Sequence, residues 1–102
     1  MLSIVTINKN NQIGLQKTIN SLQSLGERNY QWIYIDSVST DASVELANQF
    51  KTQDDVVISE KDTGIYNAMN KGISLAKGDY ILFLNSGDTL STQMKSLDFM
   101  KV

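Results

Sequence analysis

The sequence predicts an α/β fold built on a mostly parallel sheet, and three observations carry that expectation. Four short apolar runs, at 2–7, 32–35, 56–58 and 80–84, are rich in Ile, Val, Leu, Tyr and Phe and do not alternate with polar residues. Strands buried on both faces of a parallel sheet read this way. Segments of helical period separate the runs, which gives the order β-α-β-α-β-α-β and implies right-handed crossovers. Proline is absent and no low-complexity linker interrupts the 102 residues, so one domain spanning 1–102 is expected.

The first strand begins at Leu2 and ends in Asn8-Lys9-Asn10. Leu15, Ile19, Leu22 and Leu25 then share one helical face, and Gly26 stands where a C-terminal cap belongs. The second strand runs into Asp36-Ser37-Val38-Ser39-Thr40-Asp41, where Thr40 or Asp41 is the expected N-cap of a helix marked by Val44, Ala47 and Phe50. The third strand leads through Ser59-Glu60-Lys61-Asp62 to Thr63, the expected cap of a helix striped by Ile65, Met69, Ile73 and Ala76 and closed by Gly78. The fourth strand, 80–84, is the most apolar and stops at Asn85-Ser86-Gly87-Asp88. A last helix is expected from about Thr92, with Leu90, Met94, Leu97 and Met100 as its stripe.

Composition removes several function classes. Apolar residues make up 41% of the chain, ordinary for a globular domain. Nine basic and 11 acidic residues give a net charge of −2, and no basic block exists to neutralise a phosphate backbone, so no nucleic-acid partner is expected. Without cysteine there is no disulfide or thiolate metal site, and without histidine the commonest general base and zinc ligand are both missing. No apolar run approaches the roughly 20 residues that span a bilayer. A cytoplasmic protein is expected, with peripheral association at the inner face of the membrane left open. The first loop holds one glycine, Gly14, so the dinucleotide fingerprint is absent, and no P-loop is present.

Ligands of open α/β sheets sit beyond the carboxyl ends of the strands, and all four loops there are polar. Asp88, fixed at a strand end behind Gly87, is placed to hold a hard divalent cation bridging to a diphosphate. The plainer alternative is a strand-ending turn in which Asp88 caps the next helix. Asp36 offers an acceptor-only carboxylate suited to the imide N–H of a uracil ring, and the structural alternative is equally open. Thr40 and Asp41 read as caps. Asn70 reads as a solvated helical residue and Lys71 as simply exposed.

In order and spacing these loops resemble the family-2 glycosyltransferases, inverting enzymes of the GT-A fold that use nucleotide sugars. The resemblance rests on 2–10 followed by Leu15-x-x-Thr18-Ile19-x-Ser21-Leu22, on Asp36-x-x-Ser39-Thr40-Asp41, on the run from Ser59 to Gly72, and on Ala76-x-Gly78-Asp79-Tyr80 leading into Leu84-Asn85-Ser86-Gly87-Asp88. The last two look most like bacterial transferases that assemble surface polysaccharides.

The resemblance implies a partial GT-A, Rossmann-like, three-layer α/β/α fold with strand order 3-2-1-4. It implies a nucleotide sugar as partner, UDP-linked, with Mg²⁺ or Mn²⁺ and a saccharide or lipid-linked acceptor. Thr6 would wall the nucleobase pocket, Asp36 would bind the base, and Asn10, Asp62, Asn70 and Asn85 would line the donor side, with Asp88 on the metal. Two departures stand out. Ser37, Val38 and Ala42 replace the usual glycines of the second loop, and a positive φ at β-branched Val38 would be strained. The acidic metal motif keeps only its final carboxylate. The family's catalytic domain is roughly twice this length, within the ordinary domain range, so the chain is expected to be the truncated N-terminal half, without the acceptor pocket or the base. Asp54, Asp55, Asp79 and Asp98 have no motif around them.

The alternatives are a non-catalytic nucleotide-binding or interaction module, or a nucleotidyltransferase of related topology. A nucleotidyltransferase usually carries a glycine- and basic-rich first loop, which 8–14 does not supply. The order 3-2-1-4 also leaves 80–84 at an open edge, for which a homodimer is the expected cover and the segment after Thr89, folded back over it, the competing one.

Overall fold

The computed structural model describes residues 1–25, 29–61 and 63–89 and the backbone of 100–101, with Ile65 as backbone alone. The elements are β1 (Leu2–Asn8), α1 (Gln12–Gln23), β2 (Tyr30–Asp36), α2 (Ser43–Phe50), β3 (Val56–Ser59), α3 (Ile65–Leu75), β4 (Tyr80–Phe83) and β5 (Met100–Lys101). The first four strands are parallel in the expected order 3-2-1-4. Every residue of β2 is buried, which is why its sequence shows no polar alternation.

The two faces of the sheet bury different side chains. On one, Ile4, Trp32, Tyr34, Leu82 and Leu84 pack with Leu15, Ile19 and Leu22 of α1 and Ala47 of α2. Trp32 meets Phe50 edge-on at 5.1 Å between ring centroids, and its indole N–H donates to the Thr6 hydroxyl at 3.0 Å. On the other face, Val5, Ile33, Ile35 and Ile81 pack with Ala68 of α3, flanked by Ile73 and Leu75. The helix comes this close because residue 72 is glycine: an added Cβ would lie 2.5 Å from Val5 Cγ1.

Several expectations are corrected. β4 is not the sheet edge along its whole length, because Met100 and Lys101 pair antiparallel with Ile81 and Tyr80. Ile81, Leu82 and Leu84 are buried, so they do not form the exposed apolar patch expected at this strand. Met100, expected on a helix, is in β5. The start of that helix at Thr92, its stripe residues Leu90, Met94 and Leu97, the cap Gly26 and Asp98 lie outside the described residues. Leu25 falls beyond the end of α1 and is largely exposed. Gly64, not Thr63, is the N-cap of α3, with φ 133° and no side-chain cap.

Gly78 does not cap α3, which ends at Leu75 with Ala76 extended. It lets the chain pass β1 instead: a Cβ there would lie 2.4 Å from the Met1 carbonyl oxygen, and its N–H donates to Ser3 Oγ at 2.9 Å. Lys71 is not simply exposed, since its ammonium pairs with Glu60 at 2.9 Å.

Candidate functional site

The register of the sheet sets Asn8, Asp36 and Ser59 side by side at the carboxyl ends of β1, β2 and β3. Their side chains form a polar rung. Asp36 Oδ1 accepts from Asn8 Nδ2 at 3.2 Å, from Ser39 Oγ at 2.7 Å and from the Tyr34 hydroxyl. Asp36 Oδ2 accepts from the Ser39 N–H at 2.7 Å and from Ser59 Oγ at 3.0 Å.

Burial works against the charge on Asp36, but the hydrogen bonds from Tyr34, Ser39 and Asn8 outweigh it and hold the carboxyl below its ordinary range. Burial, then the bond to Asp36, push the Tyr34 hydroxyl far above its ordinary value, so it stays a donor. An ionised carboxylate only accepts, so Asn8 must turn its NH₂ toward Asp36 and its carbonyl oxygen away. That oxygen is buried with no hydrogen-bond partner among the described residues.

The loops after β1 and β2 are tied together. The Asn10 N–H donates to Ser39 Oγ at 2.9 Å, and Asn10 Oδ1 accepts from the Thr40 N–H at 2.7 Å. Ala42, not Thr40 or Asp41, is the N-cap of α2, and Asp41 instead accepts from the N–H groups of Ser43 at 3.0 Å and Gln12 at 3.1 Å beside the starts of α2 and α1. The loop after β1 takes a positive φ at Asn10 (47°) and the loop after β2 one at Val38 (49°). Asparagine tolerates this conformation and valine does not, so the strain expected of Val38 is present.

A cleft of about 300 Å³ opens beside these loops. Ile7, Asn8 and Lys9 line it from the end of β1, Ser37 from the second loop, Gly64 and Ala68 from α3, and Asn85 from the end of β4. Lys9 is the one cation among the described lining residues. A larger hollow of about 490 Å³ lies at the opposite, amino-terminal edge of the sheet. There the Gln31 carboxamide is consumed by Ser3, the Lys77 N–H and the Leu75 carbonyl, which makes that end structural.

The β4 strand ends in a turn closed by Asp88: its N–H donates to the Asn85 carbonyl at 2.9 Å, and its Oδ2 accepts from the Asn85 N–H at 3.1 Å. Asp88 Oδ1 has no hydrogen-bond partner among the described residues. Asn85 Oδ1 and Ser86 Oγ are buried without one. No group of three or more His, Cys, Asp or Glu side chains gathers to hold a metal among the described residues. Within its turn Asp88 is the one carboxylate, beside the neutral oxygens of Asn85 and Ser86.

The residues expected at the site are placed unequally. Asn85 lines the cleft, and Asp88 shares its turn. Asp36 is at the right strand end but fully buried, with both oxygens engaged inward. Thr6 is also fully buried, its hydroxyl taken up by Trp32 in the α1/α2 layer. Asn10 is exposed and bridges loops. Asn70 is exposed on α3 and does not line the cleft, and Asp62 lies outside the described residues. Lys9, Ser37 and Gly64 also line the cleft; their loops stand at the strand ends where the sequence expects a ligand, but the sequence assigns none of them an individual role.

Against known proteins, the sequence matches the family described as Glycosyl transferase family 2 over residues 3–96. It is 33% identical over 98 residues to the poly(ribitol-phosphate) beta-glucosyltransferase of Bacillus spizizenii, covering 90% of this chain and 16% of that protein. In structure it resembles S. aureus TarS, with a TM-score of 0.76 at 18% identity, covering 94% of this chain and 31% of that one. It also resembles glucosyl-3-phosphoglycerate synthase from Mycobacterium tuberculosis, solved with Mn²⁺, UDP and glucosyl-3-phosphoglycerate. That TM-score is 0.69 at 23% identity, over 84% of this chain and 33% of that one. The chain thus spans a third or less of the length of these three proteins, and the two solved structures share its GT-A fold.

Proposed function

This chain belongs to glycosyl transferase family 2, and from that membership we propose that it holds a UDP-linked sugar with a divalent cation in the cleft at the carboxyl ends of the strands. The donated sugar goes with inversion to a saccharide or lipid-linked acceptor in cell-surface polysaccharide synthesis, at the inner face of the membrane where the acceptor is lipid-linked. The observation that carries this reading is the convergence of the Asn8–Asp36–Ser59 rung, the start of α3 at Gly64 and the Asn85–Asp88 turn on one cleft. The poly(ribitol-phosphate) beta-glucosyltransferase relative supports the polymer, and the UDP and Mn²⁺ held by the Mycobacterium tuberculosis synthase support the donor.

Within the cleft, Ser37 and Asn8 meet the base, and Asp36 acts from behind by orienting Asn8 and Ser39. Lys9 and the positive end of α3 at Gly64 face the diphosphate. The oxygens at the turn suit a hard cation such as Mg²⁺ or Mn²⁺, which tolerates one carboxylate when phosphates and water complete its shell. Asp88 Oδ1 and Asn85 Oδ1 are the atoms that would hold it. When bound, it neutralises charge developing on the departing diphosphate. Asp62 and Asn70 keep donor-side roles on the strength of the resemblance alone.

In the transfer, the acceptor oxygen bonds to the anomeric carbon as the carbon–oxygen bond to the diphosphate breaks, and the diphosphate leaves with the electron pair. The acceptor proton passes to a base. Asp54, Asp55 and Asp79 precede β3 and β4, so they sit at the opposite edge and do not take this role.

Titrating ¹⁵N-labelled protein with UDP tests the placement. Shifts are expected at the amides of Lys9, Ser37, Gly64 and Asn85. Shifts confined to Asn29, Gln31 and Lys77 would overturn it.

A further inference from the structure

We propose that Thr18, on α1, is the positioning residue that sets the Asp88 carboxylate for its cation; this rests on the reading of Asp88 as a metal ligand. Thr18 is fully buried, and its hydroxyl reaches three backbone groups of the Asn85–Asp88 turn. It lies 2.8 Å from the Asp88 carbonyl oxygen and 3.2 Å from that of Asn85, and it accepts from the Gly87 N–H at 3.0 Å.

A threonine inside a helix ordinarily returns its hydroxyl to the carbonyl four residues back. Here that carbonyl, Gly14 O, accepts from the Gly87 N–H at 3.0 Å instead, so helix and turn are joined twice at one amide. Asn11 adds a third tie, its Nδ2 donating to the Ser86 carbonyl at 3.3 Å while its Oδ1 caps the Gly14 N–H at 3.1 Å. Residues 11, 14 and 18 lie on one stripe of α1, so that stripe is a seat for the whole turn.

The seat matters because the turn carries a single carboxylate. Asp88 is the one acidic residue of Asn85-Ser86-Gly87-Asp88, so the direction of its Oδ1 depends on the backbone that holds it. Oδ2 is already pinned to the Asn85 N–H, and the Asn85 and Asp88 carbonyls are the groups Thr18 holds. Thr18 therefore acts on the cation through the turn without touching it, as groups that orient metal ligands do.

The test uses Thr18→Val, which keeps shape and removes the hydroxyl, and Thr18→Ser, which keeps the hydroxyl. Mn²⁺ affinity of the UDP-saturated protein is read from the electron paramagnetic resonance of free Mn²⁺. UDP affinity without metal is read by calorimetry, and amide exchange at Asp88 without any ligand. Thr18→Val is expected to weaken Mn²⁺ binding about tenfold, to speed exchange at Asp88, and to leave metal-free UDP affinity unchanged. Thr18→Ser is expected to restore all three. If Thr18→Val does not fold, Thr18→Ala is compared with Thr18→Ser in the same way. Unchanged Mn²⁺ affinity in Thr18→Val, or equal loss in the serine variant, overturns the positioning role while the donor site stands. Wild-type protein that binds UDP without taking up Mn²⁺ overturns the metal reading itself, and the positioning role with it.

Discussion

Asp36 accepts both the backbone N–H and the hydroxyl of Ser39, three residues ahead, at 2.7 Å each. One carboxylate thereby closes the β2–α2 loop, and Ser39 passes the constraint on to Asn8 and Asn10.

The first expected outcome concerns pH. The folded state holds the Asp36 carboxyl below its ordinary value of 3.8. A depressed carboxyl contributes stability that is fully present above the unfolded value and is lost as the pH falls through the lower folded one. Asp36→Asn is expected to lose about 1.5–3 kcal/mol at neutral pH, the range for hydrogen bonds to a charged group. The difference from wild type should shrink below about pH 4. Urea unfolding from pH 7 to pH 2 measures it, and a difference that stays constant with pH contradicts the assignment.

Val38 gives the second. Its φ of 49° and 54% exposure mean that a glycine relieves strain while giving up little packing. Relief of about 1–2 kcal/mol is partly offset by roughly 0.5–1 kcal/mol of glycine backbone entropy. Val38→Gly is therefore expected to stabilise the chain slightly in denaturant titration, and a clear destabilisation would show that the valine side chain is needed.

Thr6 supplies a third, which separates a core role from a wall of the nucleobase pocket. Thr6→Val leaves the buried Trp32 indole N–H without its acceptor, at a cost of about 1–3 kcal/mol. UDP affinity is expected to stay at the wild-type value once the variant is folded. A selective loss of UDP binding with unchanged stability would restore the pocket role.

The α/β order and the strand positions were legible because fully buried parallel strands and helical stripes leave strong patterns, as in β2 and in Leu15, Ile19 and Leu22. The loops at the carboxyl edge were legible as a group for the same reason. What each loop residue does was not. Asp36 and Thr6 stand at the expected strand ends, but the direction of a side chain at a strand end follows from register with the neighbouring strands. No single sequence displays that Asn8 lies opposite Asp36, and Asp36 opposite Ser59. Gly78 and Thr63 look like caps by position, yet the chain uses Gly78 for a close pass over Met1 and starts α3 at Gly64. The seat that α1 provides for the β4 turn joins residues nearly 70 positions apart and leaves no local pattern at all.

The central claim is that the cleft binds a uridine diphosphate together with a cation on Asp88. Calorimetric titration of UDP into wild type and Asp88→Ala, with and without Mn²⁺, tests it most directly. The expected result is Mn²⁺-enhanced affinity in wild type that falls to the metal-free level in Asp88→Ala, with metal-free affinities equal in the two proteins. Equal UDP affinity with and without Mn²⁺ in wild type, or an Mn²⁺ enhancement that survives in Asp88→Ala, would contradict it.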